Sequence, residues 1–70
     1  MRPVTSLNEL YNLANRDKRY EKLLIISAQN LGGRINSPQD AASFLEMQAN
    51  AMGEEEGVVD EVNFCIDLVE

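Results

Sequence analysis

Seventy residues with one cysteine and no histidine make a single domain and exclude both an internal disulfide and a Cys/His zinc site as the staple of the fold. At 44% hydrophobic and 26% charged, with apolar residues recurring at helical spacing, the chain lies well above the disordered range. The net charge of −6 is unevenly spread: residues 1–35 carry all six cations against three acids, a net +3, while residues 36–70 carry nine acids and no cation.

Ser6-Leu7-Asn8-Glu9 has the form of a capping box and predicts a helix start. Leu7, Leu10, Tyr11 and Ala14 then share one helical face, until Arg16, Asp17 and Lys18 fall where the next apolar position is due. This gives a first helix over about 6–15. The apolar period resumes at Tyr20 with Leu23, Leu24, Ser27, Ala28 and Leu31, widened by Ile25 and Ile26, which predicts a central buried helix over about 18–31. Gly32-Gly33 closes it. Ser37-Pro38-Gln39-Asp40 is the clearest start signal, with a capping serine, proline at the first helical position and an early acid. It opens a third helix over about 37–52, with Ala41, Phe44, Leu45, Gln48, Ala49 and Met52 facing inward and Gly53 ending it.

The last segment, about 57–69, reads in two ways. Val59, Val62, Ile66 and Val69 fit a helix, whereas Val62, Phe64, Ile66 and Leu68 alternate with Glu61, Asn63, Cys65 and Asp67 as in a strand. Helix is preferred because Glu54-Glu55-Glu56 suits a helix N-terminus and no other convincing strand exists to pair with. The fold class is therefore all-α, a small bundle of three to four short helices spanning residues 1–70 as one domain, with the strand as the alternative for its last element.

No motif for chemistry emerges. Without histidine the general bases that remain are carboxylates, lysines and Cys65, none in an activating pattern, so the expectation is a non-enzyme with no cofactor and no metal. Cys65, among Val62, Phe64, Ile66 and Leu68, reads as a small buried hydrophobe. Glu54, Glu55, Glu56, Asp60 and Glu61 lack the alternation of a calcium loop and read as an acidic face. Gly32-Gly33-Arg34 follows a helix and lacks the lysine and hydroxyl of a phosphate-binding loop. The start of the chain lacks an apolar export signal and no window approaches a membrane span, so a cytoplasmic protein with no membrane association is expected.

The function expected is a small acidic protein-interaction module whose partner is a protein of unspecified identity, acting as a homodimer because so short a chain lacks a staple. The candidate partner-binding residues are Tyr11, Arg16, Lys18, Arg19, Tyr20, Met47, Glu54, Glu55, Glu56, Asp60 and Glu61, with Phe44 and Met52 as further apolar anchors. The basic and acidic halves pair either within one subunit, or between subunits and toward a partner. In size and composition the chain resembles the small accessory proteins that phages and mobile elements encode to bind and redirect host proteins. The alternative is a regulator acting near nucleic acid, through Arg16–Lys22 or by acidic imitation of phosphates. Direct nucleic-acid binding is disfavoured, because the cationic segment contains two acids and the −9 half would repel a phosphate backbone.

Overall fold

The computed structural model describes residues 1–70 as five helices and no strand: α1 (Leu7–Ala14), α2 (Lys18–Asn30), α3 (Pro38–Met52), α4 (Glu56–Phe64) and α5 (Ile66–Val69). Ser6 caps α1 by accepting from the Glu9 N–H at 3.1 Å. Glu9 reaches back past the cap, to the N–H of Thr5 at 2.8 Å. Asp17 separates α1 from α2, its carboxylate accepting from the Arg19 N–H at 2.9 Å. Asp17 thus turns a stretch without any helix breaker into a new N-terminus. Ser37 caps α3 by accepting from the Asp40 N–H, with Pro38 at the first position.

The turn after α2 uses its two glycines differently. Gly32 takes φ +97°, and the N–H groups of Gly32 and Gly33 bond back to the carbonyls of Gln29 and Ala28, which satisfies two of the orphan carbonyls of the helix end. Gly33 is needed for space instead: a Cβ there would stand 3.0 Å from the Ala28 carbonyl and 3.2 Å from the ring of Phe44.

Helix α2 is the centre of the fold and touches all four other helices. Its Leu23, Leu24 and Ala28 join Leu7, Leu10, Ala41, Leu45, Val58, Val62 and Cys65 in one core. Ser27 is the lone buried polar side chain, and its hydroxyl donates to the Leu23 carbonyl at 2.7 Å, so burial leaves no unpaired group. The small side chains Ala28 and Ala41, both fully buried, let α2 and α3 approach closely.

The ambiguous last segment is helical. Val58, Val59, Val62, Cys65 and Ile66 form its buried face, and α4 and α5 are nearly one helix, interrupted at Cys65. Ahead of α1, residues 1–5 form an extended strap. The Asn63 carboxamide pairs with both the N–H and the C=O of Val4, at 2.8 and 2.9 Å, and the Tyr20 hydroxyl does the same for Arg2, at 2.9 and 2.8 Å. No helix is long and apolar enough to cross a membrane.

Candidate functional site

The candidate residues separate into those used by the fold and those facing outward. Tyr20 belongs to the core, with its ring buried and its hydroxyl engaged by the strap, so it is not an anchor for a partner. Tyr11 is half-buried and links α1 to α3, its hydroxyl donating toward Glu46 at 3.1 Å and the Ala42 carbonyl at 3.4 Å. Burial raises its ionisation well above the usual tyrosine range, and the Glu46 carboxylate adds to the effect. Phe44 is half-buried against the core, leaving Met47 and Met52 as the large exposed apolar side chains of α3, at 57% and 53%. Met52 lies over Gly57, at the start of α4.

Glu54, Glu55, Glu56 and Asp60 are exposed on the turn between α3 and α4 and on the outer side of α4. Glu46, Glu54 and Glu55 border one surface hollow together with Ala49, Asn50 and Gly53. Met47 and Met52 belong to the same end of α3. Glu61 is only partly exposed and accepts from the Cys65 thiol at 3.4 Å. Apart from the terminal ammonium of Met1, which pairs with Glu70, no cation of the first half lies within ion-pair reach of a carboxylate of the second. The other ion pair, Arg19 with Asp17 at 3.2 Å, is local, and it holds the Asp17 carboxyl below its usual range. Arg16, Lys18 and Lys22 therefore stay exposed without a carboxylate partner.

Two exposed apolar residues are absent from the expected set. Phe64 is 72% exposed and Leu68 59% exposed, one helical turn apart on the outer face of α4–α5. The signal for them lies in the helical reading of 57–69: once Val59, Val62, Ile66 and Val69 face the core, Phe64 and Leu68 must face away. The strand-like alternation grouped them instead with Val62 and Ile66.

Cys65 is fully buried, receives the Asn30 carboxamide N–H at 3.1 Å, and burial pushes its thiol up from an ordinary value of 9.0. Tyr11 is shifted in the same direction. Both groups hold their protons more tightly when folded, so their contribution is fully present below the unfolded-state values and is lost as pH rises through and beyond them. Urea midpoints are thus expected to fall above about pH 9, and a thiol reagent should modify native Cys65 only at the rate of unfolding. Fast stoichiometric modification of the folded protein would contradict the burial.

The arrangement is a small all-α bundle with one strongly acidic end. The chain matches no protein-family model, no curated protein and no solved structure.

Proposed function

We propose that the protein is a non-enzymatic interaction module, a dimeric cytoplasmic accessory protein that binds and modulates another protein through the acidic end formed by α3 and α4. The observation that carries this reading is the hollow bordered by Glu46, Glu54 and Glu55, with exposed Met47 and Met52 on the same helix end. Carboxylates without cations of their own steer a basic partner and set its orientation, while methionine side chains, flexible and polarisable, adapt to an apolar surface and contribute most of the affinity. The partner fitting this chemistry is a protein with a basic surface interrupted by apolar side chains, such as the nucleic-acid-facing side of a DNA- or RNA-binding protein.

The test is affinity capture in cells of the source, with the wild type beside two variants, Glu54→Gln/Glu55→Gln and Met47→Ser/Met52→Ser. A protein recovered in stoichiometric amount by the wild type, and reduced about tenfold or more by each variant, is the expected result. A partner retained equally by all three chains would refute the acidic end as its binding surface.

A second reading is favoured by Arg2 and Arg16, which line one hollow beside the capped start of α1 while Lys18 and Lys22 stay unpaired nearby. These cations could serve a regulator that touches nucleic acid directly. A mobility shift with generic DNA at low salt, weakening steeply as salt rises, would support it over the protein-binding reading.

A further inference from the structure

We propose that the seat of the strap on α2 and α4 is a binding site for an extended segment of another protein, carrying a β-branched aliphatic side chain where Val4 stands, with residues 1–5 as its exchangeable internal occupant. The inference uses neither the acidic end nor the dimer of the reading above, so the two stand or fall separately. Residues 1–5 take part in no backbone–backbone hydrogen bond. Side chains read their main chain instead. Tyr20 on α2 pairs through its hydroxyl with the N–H and the C=O of Arg2, and Asn63 on α4 pairs through its carboxamide with those of Val4. In an extended chain the polar groups of alternate residues point to the same edge, so two fixed side chains engage one edge of the segment. Pro3, between them, has no N–H to offer and falls where the main chain turns to the other edge. A peptide is held in the same way when it adds a strand to a sheet, with two side chains here in the place of the sheet.

Main-chain bonds of this kind accept many sequences, so selection falls to the side chain seated most fully. That is Val4, 2% exposed and part of the core cluster, whereas Arg2, Pro3 and Thr5 are exposed. The strap meets the bundle's first helix at Thr5 and Ser6, within the cap of α1: Glu9 accepts from the Thr5 N–H, and Ser6 accepts from the Glu9 N–H. Residues 1–4 can therefore swing away and leave that cap in place. Tethering gives the strap an effective concentration on the order of millimolar, so a foreign segment wins only when its protein adds contacts beyond the seat. The strap of a second copy would remake the same bonds without the tether and gain nothing by exchange. The occupant is therefore another protein.

NMR titration of the full-length Val4→Asp chain with a synthetic peptide of residues 1–5 tests this. A carboxylate is disfavoured in the apolar seat, so the variant holds its own strap free. Val4→Ser is the milder second variant, and helical circular dichroism checks that each is folded. The peptide should shift the Asn63 carboxamide resonances with a Kd of about 0.1 mM, at least about tenfold tighter than in the wild type, whose seat is filled. Methylating the backbone nitrogen of Val4 in the peptide removes the N–H that Asn63 accepts and should weaken binding at least about tenfold. Absence of a shift in both folded variants at about 1 mM peptide would overturn the proposal, and so would equal binding of the methylated peptide. A heterodimer of the wild type with Val4→Asp, seen by sedimentation, would make a second copy the occupant and overturn the foreign segment.

Discussion

Leu45→Ala is expected to leave the protein largely unfolded at 25 °C. Leu45 is fully buried near the middle of α3, within the single core that also receives side chains of α1, α2 and α4. Removing three carbons from such a site costs the lost transfer energy and the energy of the cavity left behind, about 3–5 kcal/mol for leucine to alanine where the surroundings cannot collapse. Collapse is hindered here because the other side chains of the same core cluster are either small, as at Ala28 and Ala41, or held by their own helices. A single core in a chain this short supplies roughly 3–5 kcal/mol of net stability, so one cavity consumes nearly all of it. Urea titration followed by circular dichroism gives the measurement, with Met47→Ala on the exposed side of the same helix as the control, expected to change stability by less than about 0.5 kcal/mol. If Leu45→Ala loses no more than its control, α3 is not packed as described.

Most of the helical pattern was legible from local chemistry. The capping serines Ser6 and Ser37, Pro38 and the closing glycines act within a few residues, so the starts and ends they imply fall within one or two residues of those observed. Asp17 was the exception among caps: it sits in a charged run, where its acceptor role is hidden until the chain is seen to turn at Arg16. The helix-or-strand ambiguity of the last segment had a different cause. Val59, Val62, Ile66 and Val69 satisfy the helical period while Val62, Phe64, Ile66 and Leu68 satisfy the strand period over the same short window, and only packing against α2 and α3 decides between them.

The candidate surface was less legible, because exposure is a property of the assembled bundle. Tyr20 and Phe44 look like binding anchors in composition, but the first is consumed by the strap and the second by the turn at Gly33. Glu54, Glu55, Glu56 and Asp60 could be placed outside from charge alone. Phe64 and Leu68 could not, since apolar residues are placed inside by default and nothing local marks the two that remain in water. The charge asymmetry was visible in composition, yet its consequence was not. The two halves meet in space without forming side-chain ion pairs, so their charges stay available to other molecules.

Asn63→Leu is expected to cost about 2 kcal/mol and to free the first five residues. The strap has no helix or sheet of its own, so its main-chain groups depend on side chains. Asn63 alone satisfies the N–H and the C=O of Val4. Leucine is close to asparagine in size but offers no donor or acceptor, leaving two routes. If Val4 stays in place, two partly buried backbone groups go unpaired at about 1–3 kcal/mol each. If the strap swings into water, those groups are hydrated, but the Val4 side chain, now 2% exposed, leaves the core at about 1.5–2 kcal/mol. The second route is the cheaper, so the loss should appear as detachment rather than as strain. Hydrogen exchange separates the two, because detachment removes the protection of the Val4 amide while α1 stays protected from Leu10 onward. Tyr20→Phe removes the bonds to exposed Arg2, where water can substitute, and should cost about 1 kcal/mol. Once the strap is free the second substitution has little left to break, so the double variant should fall short of the sum of the single ones. Strict additivity, or a Val4 amide still protected in Asn63→Leu, would show that the strap is held by something other than these two side chains.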